Sequence, residues 1–183
     1  MNLYQTFMRH IQAWTLRETI GFILLTIVMG ILLLIDVRRH KFEKVQAIAL
    51  FISTLYLGIV FAFTVFTRET SIRQYKVIPF WSWYEVFRNH KVRLLQENIL
   101  NCMLLVPIGG LFPFISNHKF LLRHALEGGI LISFCIEICQ LIFMRGVFEW
   151  DDIFHNGLGC MIGCVLGDLV WKKIIKNDDD SND

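Results

Sequence analysis

The residues able to do chemistry gather late in the chain. Between positions 137 and 167, an apolar run carries Glu137, Gln140, Arg145, the tandem Asp151 and Asp152, His155 and Asn156, followed by Gly159, Gly163 and Gly167. An unpartnered polar group in so greasy a stretch costs on the order of a few kcal/mol, so these residues mark either a functional site or an interhelical clamp. Glu137 and Gln140 are three apart, with Ser133 one turn deeper. Asp152 and Asn156 form one helical stripe that continues into Gly159 and Gly163; Asp151 and His155 form the stripe beside it. Further upstream Glu97, Asn98 and Asn101 recur at helical spacing, with the two asparagines on one face.

Each group has a structural reading beside a functional one. One of the two aspartates reads as an N-cap and dipole partner for the helix that follows, which leaves the other, and His155, to be explained. Glu137 lies about 9 Å inside the end of its helix, at 1.5 Å per residue. An isolated charge there is expensive, so it is either protonated or paired, with Arg145 or with an Asn or His donor from a neighbouring span. Asn98 and Asn101 suit interhelical amide bonds as well as a ligand. A metal held by Asp151, His155 and Glu137 has no ligand spacing behind it, and no cofactor is indicated. Without a G-x-S-x-G, a phosphate-cradling glycine loop or a paired-cysteine motif, hydrolase, nucleotide and zinc readings have nothing specific to rest on. Glycines at 159, 163 and 167 recur every four residues, the period that lets helices approach closely, and are expected to pack against the third or fourth span.

The elements that must position these groups are membrane helices. Hydrophobic residues make up 55% of the chain and charged residues 19%, and the mean hydropathy is +0.51. This places the chain in the all-α class as a polytopic membrane bundle of about five transmembrane helices, with the lipid bilayer as its first partner. A net charge of +2 is too small to suggest nucleic acid. All 5 cysteines sit in apolar segments and read as small buried hydrophobes. Spans are expected over 19–35, 45–67, 98–117, about 122–143 and 153–171. Pro107 and the Gly109–Gly110 pair should kink the third, and short turns should occupy 118–123 and 145–151.

Residues 1–18 form an amphipathic pattern suited to the membrane surface, with no cleavable signal. Residues 68–96 interleave cations with aromatics. They are expected to lie along the interface as a rim bearing Arg73, Trp81 and Trp83, with Pro79 breaking any continuous helix. The expected organisation is therefore a surface helix (1–18), a bundle (19–176) and a disordered acidic tail (177–183). Basic residues in the turns after spans one and three and beyond span five outnumber those in the leader and the last turn. The positive-inside rule then puts the N-terminus outside and the C-terminus in the cytoplasm of a plasma-membrane protein, if the mixed segment 68–96 is left aside.

Several of these motifs occur together in one family. Asn98-Ile-Leu-Asn101, continuing to Pro107-Ile-Gly109, then Glu137-Ile-Cys-Gln140, Arg145 and Asp151-Asp152-Ile-Phe-His-Asn156-Gly157-Leu-Gly159, resembles the VanZ-like membrane proteins. Val77-Ile78-Pro79-Phe80 is similar to an N-L-I-P-F element ahead of that motif, with Lys76-Val77 standing where Asn-Leu is usual. The likeness extends over residues 68–167 and implies functional weight for Asn98, Asn101, Glu137, Gln140, Arg145, Asp152 and Asn156. The family takes its name from a protein that gives low-level teicoplanin resistance in Gram-positive bacteria. The resemblance implies family and membrane placement and not a mechanism; the basic and aromatic rim over buried acids and amides leads to the expectation of a non-catalytic envelope protein that binds an amphiphile, either a lipoglycopeptide or a cell-wall lipid intermediate. An enzyme acting on a lipid-linked substrate, with Asp152 or Glu137 as base, His155 as proton carrier and Arg145 on a phosphate, is the alternative. A small transporter is the third expectation.

Overall fold

A backbone inside a bilayer must satisfy its own hydrogen bonds, so the uncharged runs of this chain form helices. The computed structural model describes residues 16–68, 70 and 72–181; residues 1–15, most of the expected surface helix, lie outside the described part. Five helical stretches are long and apolar enough to cross a membrane. The elements in order are α1 (Leu16–Arg38), α2 (Lys44–Phe61), a π-helical turn (Ala62–Phe66), β1 (Gln74–Lys76), α3 (Trp81–Asn89), α4 (Val92–Leu104), α5 (Val106–Ser116), α6 (Leu122–Phe143), β2 (Val147–Glu149) and α7 (Trp150–Ser181).

Span three is α4 followed by α5, broken at Leu105. Pro107 has no N–H for the carbonyl four residues back, and the Tyr56 hydroxyl from α2 donates to the exposed Leu104 carbonyl at 2.9 Å. The helix starts earlier than the uncharged run does. Val92–Asn98 is included because Arg93 and Glu97 pair at 3.0 Å on its outer face. Span five likewise starts at Trp150 instead of 153. It continues beyond Trp171 to Ser181, taking in residues expected to form a disordered tail.

The sequence reading missed one element altogether. The turn expected over 145–151 contains β2, which pairs in parallel with β1 in the register Gln74↔Val147, Tyr75↔Phe148, Lys76↔Glu149. Each strand has three residues, too short for any alternation to show. Gly146 (φ +128°) makes the bend into β2. A Cβ there would be strained by this backbone conformation and would also push aside the ends of the Gln140 and Arg68 side chains.

At the centre of the bundle is α7. Of its membrane window 56% is buried, against 6% for α1, which lies at the periphery beside α2. A Cβ at Gly159 would overlap the carbonyl of Cys102, one at Gly163 that of Val106, and one at Gly167 that of Gly110. All three glycines therefore press against span three, whose Gly109 fits against the Cys160 carbonyl in return. Leu105, Ile108 and Cys160 fill the core around this contact.

Gly163→Ala is expected to destabilise the folded protein by about 1–3 kcal/mol, as overpacking a tight contact does. Gly21→Ala, with nothing within 4 Å of its added Cβ, should be neutral. Thermal unfolding of the two detergent-solubilised variants, followed by size exclusion, measures the difference.

Candidate functional site

Connections alternate between the two ends of a bundle, so the link from α2 to α4 and the link from α6 to α7 meet at one end. There β1, α3 and β2 lie over the first turns of α4 and α7 and the last turns of α6. Span two opens this region with a departure from α-geometry. The π-helical turn leaves carbonyls without their usual donors, and span four uses them. Gln140 Nε2 donates to the Thr64 carbonyl at 3.1 Å, and Arg145 Nη1 donates to the carbonyl of Phe66.

The two stripes at the start of α7 have different neighbours. The Asp151 stripe faces α3. Asp151 accepts from the backbone N–H of Phe80, from the Ser82 N–H at 2.9 Å and from the Ser82 hydroxyl at 2.5 Å. The Ser82 hydroxyl in turn accepts from Asn98 Nδ2 at 3.1 Å. An aspartate of α7 thus caps α3 from outside its own helix, and Asn98 of α4 completes the chain. Phe80 starts α3 in a left-handed conformation (φ 60°), strained for an aromatic residue and held by Asp151 and by stacking on Phe154 at 5.6 Å. His155 accepts a hydrogen bond at Nε2 from the Trp83 indole N–H at 2.8 Å.

The Asp152 stripe faces α4 and α6. The Asn101 side chain lies beside the Asp152 carboxylate. One turn further, Asn156 Nδ2 donates to the Ser133 hydroxyl at 2.8 Å, and that hydroxyl approaches the Asp152 carbonyl at 3.4 Å. Glu137, 2% exposed, receives the Glu149 backbone N–H at 2.9 Å. Glu137 and Asp152 are close enough to interact electrostatically, and both feel Arg68. Asn101, Glu137, Asp152 and Asn156 therefore come together where α4, α6 and α7 meet, with Ser133 bonded to Asn156 and Arg68 near enough to act on both acids, while Gln140 is turned to span two.

Other candidates sit elsewhere. Arg145, the expected partner of Glu137, is turned to span two, because the chain reverses at Met144 (φ 55°) and points it at Phe66. Asp151, His155 and Asn98 support α3. Trp81 and Trp83, expected together on a rim, are two residues apart on a helix and so face nearly opposite ways. Trp83 turns inward to His155. Trp81 bonds Glu149 at 3.2 Å beneath the Lys76 ammonium, 3.7 Å from its ring centre, while Lys76 and Glu149 pair at 2.9 Å. Arg73 is exposed. At the far end of α3, Lys91 at 2.5 Å and Asn89 hold the Glu85 carboxyl below the usual carboxylate range.

Three contributors escaped the sequence reading. Arg68 looked like one cation among several in a basic segment, and Ser82 sits unmarked between two tryptophans. Glu149 carried no spacing signal, since its partners come from β1 and α3. Asp168 was also overlooked. It is buried in α7 with Oδ1 unpartnered among the described residues, but about 24 Å along the helix from Asp152 at 1.5 Å per residue. No group of three metal-ligating side chains occurs among the described residues.

A family model described as VanZ/LLP1 matches residues 53–171. That interval contains spans three and four, most of spans two and five, and Arg68, Asn101, Glu137, Asp152 and Asn156. Neither a curated protein nor a solved structure matches the chain.

Asp151→Ala strips three donors of their acceptor, at about 1–3 kcal/mol for each buried group left bare. The expected result is rapid amide exchange at Phe80 and Ser82 with the five spans still protected. Hydrogen–deuterium exchange of the reconstituted protein reads both.

Proposed function

Because this chain belongs to the VanZ/LLP1 family and is a multi-pass membrane protein, we propose that it binds an amphiphile in the cell envelope without chemically altering it, and so contributes to tolerance of lipoglycopeptides such as teicoplanin. The ligand's polar end meets the polar cluster between α4, α6 and α7. Its apolar part lies among the exposed Ile72, Tyr75, Val77 and Ile78, beside Arg73. In this reading the cluster is at the outer end of the bundle and the C-terminus is cytoplasmic.

The observation that carries the proposal is the gathering of Asn101, Glu137, Asp152 and Asn156, drawn from three helices, beneath an aromatic and basic segment. Buried polar groups are ordinarily satisfied by each other. Here Asn156 Oδ1 is buried and unpartnered among the described residues, and Asp152 keeps partial exposure, which supports a polar site approached from the side of Asp152. A groove of about 590 Å³ between Lys76, Trp81, Lys91 and Arg93 suits a headgroup or sugar. The enzyme alternative is less well supported. His155, its proton carrier, is engaged by Trp83, and Arg145, its phosphate anchor, by the Phe66 carbonyl.

Glu137→Gln and Asp152→Asn should each weaken binding of a fluorescent lipoglycopeptide or lipid-linked cell-wall intermediate by about tenfold, the effect of losing one charge-assisted bond. Both should also lower the drug tolerance of cells carrying the protein at matched membrane levels. Unchanged affinity and susceptibility in both variants would refute the proposal, and product formed from the lipid intermediate would replace it with the enzyme reading.

A further inference from the structure

A groove of about 590 Å³ lies where β1, α3 and the start of α4 meet, and its polar walls are Lys76, Trp81, Lys91, Arg93 and Glu97. Its size suits a small polar ligand, and three cations share it with a single acid. Each cation has a carboxylate partner, yet each keeps donors in hand. Lys76 spends one N–H on Glu149, Lys91 one on Glu85, and Arg93 its Nε on Glu97. Among the described residues no other side-chain hydrogen bond engages them. The two lysines also lie nearer the surface than their acids. Lys76 is 41% exposed against 17% for Glu149, and Lys91 53% against 24% for Glu85. Glu97, the acid in the wall, belongs to a solvent-exposed i,i+4 pair, which contributes little and yields readily to a competitor. The helix α4 begins in the same wall with no side-chain cap and no acid in its first turn, so the positive end of its dipole adds to the field of the cations.

We propose that this groove binds the phosphate of a membrane lipid's headgroup, with Lys76, Lys91 and Arg93 as its donors. A terminal phosphate has more oxygens to share among separate cations than a carboxylate has, and the Arg93 fork matches their spacing. Trp81 positions a donor instead of supplying one. Its indole N–H is spent on Glu149 at 3.2 Å, and Lys76 Nζ is held 3.7 Å from its ring centre. The border of the groove makes a lipid the source. Val77, Ile78 and Val92 are exposed beside it, span three begins at Val92, and a tryptophan at this level marks the headgroup layer. A free phosphate would gain nothing from that apolar border. The inference rests on the amphiphile reading above in placing a ligand's polar part at this end of the bundle, and it adds the chemistry of that part.

The test uses the full chain in dodecyl maltoside micelles, which carry no phosphate. The probes are dioleoyl phosphatidic acid, dioleoylglycerol, which lacks only the phosphate, and glycerol 3-phosphate, which lacks only the chains. Bound probe is counted by native mass spectrometry over a concentration series. Phosphatidic acid is expected to bind about tenfold or more tighter than either of the others, the scale of one charge-assisted hydrogen bond. Lys91→Gln and Arg93→Gln should each reduce its advantage over dioleoylglycerol, and together they should erase it. Both side chains lie at the surface, and an unchanged thermal unfolding midpoint shows that the fold is kept. Arg123→Gln, which removes another exposed i,i+4-paired cation at the other end of the bundle, should leave the advantage intact. Equal binding of phosphatidic acid and dioleoylglycerol would overturn the phosphate assignment. So would an advantage that survives the double variant or is lost as fully in Arg123→Gln. Glycerol 3-phosphate binding as tightly as phosphatidic acid would overturn the lipid as source. None of these results touches the amphiphile reading, which stands or falls on lipoglycopeptide and lipid-intermediate binding in Glu137→Gln and Asp152→Asn.

Discussion

The contact between the backbones of α7 and span three governs the polar end of this molecule. With glycine at 159, 163 and 167, α7 lies directly on the carbonyls of Cys102, Val106 and Gly110, closer than any helix with side chains on that face could come. Lipid offers little hydrophobic drive for helices to associate, so such close fitting takes its place. It also fixes rotation. Once the glycine face of α7 meets span three, the residues one and two turns before it are aimed, with Asp152 and Asn156 toward α4 and α6, and Asp151 and His155 toward α3.

That rotation explains why two adjacent aspartates have different fates. Asp151 is consumed by α3, accepting the backbone N–H groups of Ser82 and of the left-handed Phe80 that precedes the helix. Such a bond holds a nine-residue helix that could not persist alone. Asp152, about 100° around the helix, faces Asn101, Arg68 and the second acid, Glu137. The expectation that one aspartate serves the backbone while the other needs another explanation therefore corresponds to a physical division between two faces. The backbone role lies across the interface, on a helix that is not its own.

Much of the scaffold was legible because membrane spans announce themselves through composition, and because a four-residue glycine period has one mechanical meaning. The polar stripes were legible for the same reason: helical spacing alone puts Asp152 with Asn156, and Glu137 with Gln140. What could not be read was anything set by contact between segments distant in the chain. The β1–β2 pair joins residues 74–76 to 147–149 with no pattern in either strand. Glu137 finds the Glu149 backbone instead of Arg145, because a left-handed residue at Met144 swings the arginine away to a carbonyl freed by the π-turn. Trp83 looked like a surface aromatic until α3 was placed, since the acceptor for its indole is on another helix.

Arg145, Trp83 and Asp151 have one physical feature in common: each holds one segment to another. Arg145 ties the chain just beyond span four to span two, Trp83 ties α3 to α7, and Asp151 caps α3. These bonds join elements far apart in the chain and fix where the first turns of α4 and α7 sit, so the surroundings of Glu137 and Asp152 follow from how the segment over them is fastened down.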